Sequence, residues 1–112
     1  MKAIAALLRT EAESDRRVKI TRSVDEVVQC LENGTLAMIL HIEGAEAIDP
    51  DLNALEVFYA AGLRSLGITW SRPTAFGTGV PFSFPASPDI GPGLTPAGRN
   101  LVNACNRLGI LV

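Results

Sequence analysis

The sequence has 112 residues, enough for one small domain or part of a larger one. It is 47% hydrophobic and 20% charged, as in globular proteins, and its net charge of -2 leaves no basic excess to suggest a nucleic acid or an anionic membrane as partner. The opening MKAIAALLRTEAESD is an amphipathic helix pattern with acids in its second half, and its apolar run is too short for a membrane span or a signal-peptide core.

In chain order, residues 2–14 predict a helix with Ile4, Leu7 and Leu8 at helical spacing. Residues 17–21 alternate polar and apolar, which predicts a short, half-exposed strand. Ser23 with Glu26 three residues later forms a capping box, Val24, Val27, Val28 and Leu31 mark the inner face of the helix that follows, and Asn33-Gly34 closes it. Residues 36–42 are apolar at nearly every position, the pattern of a parallel strand buried on both faces. Asp49-Pro50-Asp51 then predicts a turn and helix start, with a helix through Leu52, Leu55, Val57, Phe58 and Tyr59 that Gly62 ends. Another apolar strand runs from Leu63 to Thr69, followed by a long loop rich in Gly and Pro from Trp70 to Leu94. Thr95-Pro96 opens a last helix lined by Leu101, Val102, Cys105 and Leu108, which Gly109 caps before Ile110-Leu111-Val112 begins a further strand.

Helix and apolar strand alternate with short connections, so the expected fold class is α/β with a parallel sheet. A chain that starts on a helix and stops inside an apolar run is expected to be one segment of a larger repeating fold. Cys30 and Cys105 stand far apart without metal-type spacing, which predicts buried free thiols in a reducing, cytoplasmic setting.

In such folds functional groups collect at the carboxyl ends of strands and on the loops that follow. The first candidate is His41-Ile42-Glu43-Gly44. A carboxylate at Glu43 fits a metal ligand, a general base or a partner for a neighbouring Arg or Lys. His41 and Glu43 share one face of the strand, and His41, two residues deeper, is expected to be a hydrogen-bonded core residue rather than a ligand. The second is Thr69-Trp70-Ser71-Arg72. Trp70 can floor a substrate pocket and Arg72 can bind a carboxylate bidentately, or Trp70 can plug the mouth of the fold while Arg72 bridges to an acid. The third is the loop from Pro73 to Leu94, where Phe76, Phe82 and Phe84 suggest a lid or an oligomer contact. The sequence has no nucleophile elbow, no His-x-x-x-His, no Cys-x-x-Cys and no Walker-type loop, and one His with one strand-end Glu cannot complete a metal site of three or four ligands.

Three blocks in order resemble the renal or membrane dipeptidase family of zinc peptidases: Leu40-His41-Ile42-Glu43-Gly44-Ala45-Glu46-Ala47-Ile48-Asp49, then Gly62-Leu63-Arg64-Ser65-Leu66-Gly67-Ile68-Thr69, then Gly93-Leu94-Thr95-Pro96-Ala97-Gly98-Arg99 running on to Val112. The resemblance implies a partial (β/α)8 TIM-barrel segment over residues 1–112, lacking the first strand and the C-terminal half. It implies a site of two zinc ions at the barrel mouth, which this chain completes only in part, with Glu43 as the carboxylate bridging the metals. It further implies a dipeptide-like small-molecule substrate or a related small amide; from the strand-end reading Trp70 and Arg72 are its expected contacts, and a homo-oligomer is a further expectation. No residue of the chain is expected to be catalytic in its own right. The family's His-x-Asp ligand pair, its further histidines and its catalytic aspartate match nothing here. Many relatives carry a substrate-contacting His where this chain has Trp70, which points toward a bacterial subgroup with a different preferred substrate. The alternative reading is a non-catalytic α/β interaction domain that uses the Phe-containing loop, with Glu43 a structural acid.

Overall fold

The computed structural model describes residues 1–85, Ser87, Asp89 and residues 91–112. In chain order it contains α1 (Lys2–Glu13), β1 (Val18–Ile20), α2 (Val24–Glu32), β2 (Leu36–Met38), β3 (Leu40–Glu43), a short 3-10 helix (Ala45–Ala47), α3 (Asn53–Ala61), β4 (Leu63–Gly67) and α4 (Pro96–Leu108).

The helix ends follow local chemistry. The first N–H groups of a helix have no partner within it, so polar side chains placed just before it take them. At α2, Ser23 Oγ accepts from the Glu26 N–H at 3.2 Å, and Glu26 Oε2 reaches back to the Arg22 N–H at 2.6 Å. Those contacts hold the Glu26 carboxyl below its ordinary range, the Arg22 hydrogen bond being the main cause. At α4, Thr95 Oγ1 accepts from the Gly98 N–H at 3.0 Å, and Pro96 takes the position where no N–H is needed. At α3, Asp49 accepts from the N–H groups of Asn53 and Ala54 at 3.1 and 2.8 Å. Gly62 and Gly109 close α3 and α4 with left-handed backbones, at φ 115° and 71°.

All the strand pairings among β1 to β4 are parallel, so the chain has a mixed α/β architecture of parallel strands with alternating helices. β1 pairs with β2, Val18 opposite Leu36 and Ile20 opposite Met38. β3 pairs with β4, His41 opposite Ser65 and Glu43 opposite Gly67, and Leu111 bridges in parallel to Ser65 on the far side. The apolar run from 36 to 42, expected as one strand, is interrupted at Ile39. Its first half pairs with β1 and its second half with β4, with a register shift between Leu40 and His41.

The strands form two two-stranded sheets, β1–β2 and β3–β4, and the core packed between strands and helices centres on Ile20, Leu40, Leu55, Leu63, Leu66 and Leu101. Burying side chains of this size contributes about 1.5–3 kcal/mol each. Two expectations are corrected here. β3 is buried on one face only: Leu40 is buried and Ile42 half-buried, whereas His41 and Glu43 are exposed, because no described residue covers that side of the sheet. On α2 the buried residue is Cys30, while Val24, Val28 and Leu31 are exposed. Those three form an apolar flank turned from the sheet. Cys30 and Cys105 are buried free thiols, as their spacing suggested.

The loop after β4 is anchored at both ends. Gly77 pairs with Leu94, the Thr78 N–H donates to Gly93 O at 3.1 Å, and the Val80 N–H donates to Trp70 O at 2.9 Å. Phe76 is fully buried in the core, so it is not part of an exposed aromatic surface. Phe82 and Phe84 are exposed. Positions 86, 88 and 90, within the expected lid, lie outside the described residues.

Candidate functional site

Parallel pairing brings the carboxyl ends of β3 and β4 side by side, and with them the segments 43–49 and 68–72. The Gly44 N–H donates to Gly67 O at 2.9 Å and the Ala45 N–H to Ile68 O at 3.0 Å, so the two strand ends stay zipped past the last strand residue. Glu43 therefore sits on a fixed backbone. Its side chain is exposed on the open face, and among the described residues it has no ion pair or side-chain hydrogen bond.

His41 shares that face. Its Nδ1 lies 2.9 Å from Ser65 Oγ on the facing strand, within hydrogen-bond distance. The expectation of a hydrogen-bonded histidine holds, and the expectation of a core position does not: the residue is exposed on the open face.

Arg72 bridges to an acid, one of the two roles open to it from sequence. Its Nε donates to Glu46 Oε1 at 3.0 Å. That hydrogen bond is the main reason the Glu46 carboxyl is held below its ordinary value. Trp70 is 59% exposed and meets the ring of Phe82 edge-on, with centroids 5.2 Å apart. An edge-to-face pair of this separation is favourable and keeps the indole at the loop base. Glu43, Trp70 and Arg72 thus stand on the carboxyl-end side of neighbouring parallel strands.

Sequence reasoning assigned no role to Glu46 or Ser65. Glu46 lies three positions after Glu43 in a block already singled out, but its partner is 26 residues away, and only the strand pairing brings them together. For metal binding, an exposed carboxylate without a competing partner suits Glu43 as one oxygen ligand. Among the described residues no group of three His, Cys, Asp or Glu side chains converges to hold an ion. Glu43 thus offers one exposed carboxylate at the strand end, without two further converging donors among the described residues.

Comparisons with known proteins agree over the whole chain. The family model described as membrane dipeptidase (peptidase family M19) matches residues 1–112. The chain is similar to a metallopeptidase from Rhodobacter sphaeroides, whose crystal structure holds a phosphinate mimic of the dipeptide L-Ala-D-Ala. That similarity is 55% identity with a TM-score of 0.91, over 96% of this chain and 30% of that one. A second solved structure, described as a dipeptidase, is 54% identical with a TM-score of 0.94, over 98% of this chain and 32% of its own. Among curated relatives, the Klebsiella pneumoniae protein called "uncharacterized protein in pqqA 5'region" is 45% identical over 94% of this chain and 39% of its own length. The chain therefore spans well under half the length of the relatives it matches. Its strand-end Glu-Gly block, its parallel architecture and a family match across every residue agree: the chain belongs to the membrane dipeptidase family.

Proposed function

We propose that residues 1–112 form one segment of a (β/α)8 barrel, lacking the first strand and the C-terminal half, in a zinc-dependent hydrolase of dipeptides or related small amides. The observation that carries this reading is the family match over the whole chain, with Glu43 exposed at the carboxyl end of β3 and without a side-chain partner among the described residues. In parallel α/β folds that end of the sheet is where active sites form.

Glu43 would hold the metal through its carboxylate, as one ligand among others supplied from outside these residues. The bound zinc would supply Lewis acidity toward the scissile carbonyl and lower the pKa of its water. The chain's own residues do the rest of what this segment contributes. The zipped backbone from Gly44 to Ile68 fixes the strand end from which the Glu43 side chain extends. Arg72 carries a guanidinium suited to a carboxylate, and Trp70 offers an exposed apolar ring beside it. The chain alone is inactive in this reading, because its ligand set is incomplete.

The test is a barrel completed with the segments that flank the matching region in the Rhodobacter sphaeroides metallopeptidase, assayed for dipeptide hydrolysis with and without zinc. Hydrolysis that needs zinc and is lost in Glu43→Gln is the expected result. Hydrolysis that persists in chelator, or is unchanged in Glu43→Gln, overturns the reading. Zinc titration of residues 1–112 alone gives a second check, since tight binding of two ions would contradict a partial site.

A further inference from the structure

Helices α2, α3 and α4 end through glycine. Gly34, Gly62 and Gly109 take left-handed backbones there, where reversing the chain is all that is required. After α1 the same kind of backbone falls to two charged residues, Asp15 at φ 50° and Arg16 at φ 62°. Residues with side chains rarely adopt that conformation, and it persists only where the surroundings hold it. Here the Arg17 N–H donates to Ser14 O at 3.2 Å, and Thr35 Oγ1 donates to Arg16 O at 3.2 Å.

The turn puts both charged residues on one groove. Asp15 and Arg16 line a cleft of about 510 Å³ between α1 and α2. Gln29 and Asn33, four apart and so on one face of α2, line it as well, and Ala12 and Val18 add apolar surface. Asp15 and Arg16 form no ion pair with each other or with any other described residue.

This groove is not a gap left for another strand. The Thr21 N–H donates to Met38 O beside β2, so by alternation the N–H groups of Val18 and Ile20 turn to the other edge of β1. There Ser14 Oγ accepts from Val18 at 3.1 Å, and Glu11 Oε1 accepts from Ile20 at 2.7 Å. Both donors are satisfied, and that edge is closed to a further strand. The groove is also separate from Glu43. Val18 and Thr35 place it at the amino ends of β1 and β2, whereas Glu43 ends β3 at its carboxyl end.

Opposite charges side by side yet unpaired suit a zwitterion. A plain anion would meet Asp15, and a plain cation would meet Arg16. An α-amino acid carries both charges on one carbon, and its carboxylate matches the planar fork of a guanidinium. We propose that this groove binds a free α-amino acid with an apolar side chain. Its carboxylate lies on Arg16, its ammonium on Asp15 and its side chain against Ala12 and Val18. The proposal goes beyond the hydrolase reading and uses none of the residues assigned to it.

The test uses the 112-residue chain, labelled with nitrogen-15 and free of metal. It is titrated with L-leucine, with L-leucinamide, which lacks the carboxylate, and with 4-methylpentanoate, which lacks the ammonium. Saturable shifts of the Val18, Asn33 and Thr35 backbone amide signals are expected with L-leucine, and about ten-fold weaker binding of each analogue. Asp15→Asn and Arg16→Gln should each weaken L-leucine binding about ten-fold. Combining Asp15→Gly with Arg16→Gly should abolish binding with a thermal midpoint no lower than the parent's, because glycine accepts the left-handed backbone freely. No saturable shift, equal binding of L-leucine and either analogue, or undiminished binding in the single variants overturns the proposal. So does a double-glycine variant that melts well below the parent, which would assign the charged turn to holding the fold. Neither metal nor turnover is read, so failure here leaves the test of zinc-dependent hydrolysis intact.

Discussion

The carbonyl of Phe76 lies directly against Gly98, so the loop after β4 and the first turn of α4 pack backbone to backbone. The same carbonyl accepts the Thr95 N–H at 3.0 Å, just before the helix starts. Neither group can turn aside as a flexible side chain would. Gly98→Ala should therefore destabilise the chain by about 1–3 kcal/mol, the usual cost of overpacking a tight contact. Urea denaturation checks it, and an unchanged midpoint would show that the loop yields freely.

Phe76 itself is fully buried, at the point where the long loop meets the core. Phe76→Ala should cost about 3–5 kcal/mol, the range for removing a buried aromatic ring. The loop should also become more sensitive to protease, because its anchor is gone. Limited proteolysis beside a denaturation curve separates loop release from loss of the whole fold.

Asp49 gives a pH dependence whose sign follows from its contacts. Its carboxyl is held below its ordinary value of 3.8, chiefly by the Ala54 N–H. A carboxyl with a lower pKa in the folded chain contributes stability above the ordinary value, and that contribution is lost as pH falls through the folded one. Thermal midpoints of the parent chain should fall more steeply on acidification than those of Asp49→Ala. At neutral pH Asp49→Ala should melt lower, because the first turn of α3 loses its cap.

The two thiols should be hard to reach. Cys30 and Cys105 are 3% and 0% exposed, and burial pushes the Cys105 thiol up from its ordinary range. A thiolate is the reactive form, so both should react with a disulfide reagent far more slowly in the folded chain than in urea. Fast labelling of either cysteine under native conditions would contradict their placement.

Apolar side chains are exposed on and beside the strands. Leu36, Ile39 and Leu111 are 62%, 59% and 71% exposed. Surfaces of this kind promote association. The purified chain should self-associate as its concentration rises, and Ile39→Lys combined with Leu111→Lys should shift it toward monomer. Size-exclusion elution across a concentration series reads the effect directly.

Much of this molecule was legible from local chemistry. Ser23 with Glu26, and Thr95 with Pro96, mark helix starts because capping bonds span only three or four residues. The apolar run ending at Glu43 marks a strand end for a similar reason, since a strand needs only its own residues to be recognised. The inner face of α2 was misread because helical spacing shows which residues share a face, not which face is covered. Val24, Val28 and Leu31 share a flank that no described element covers.

By itself the sequence determined the alternation of helices and parallel strands, the positions of the caps, the candidate strand-end acid Glu43 and the family resemblance, all of which rest on residues near one another along the chain. Tertiary structure alone decided that the 36–42 run breaks at Ile39, that Phe76 leaves the loop for the core, that His41 lies on the open face against Ser65, and that Glu46 holds Arg72. Each of those depends on a partner brought close by strand pairing or core packing. Separation along the chain leaves no local pattern to read, so the contacts emerge only once the strands are side by side.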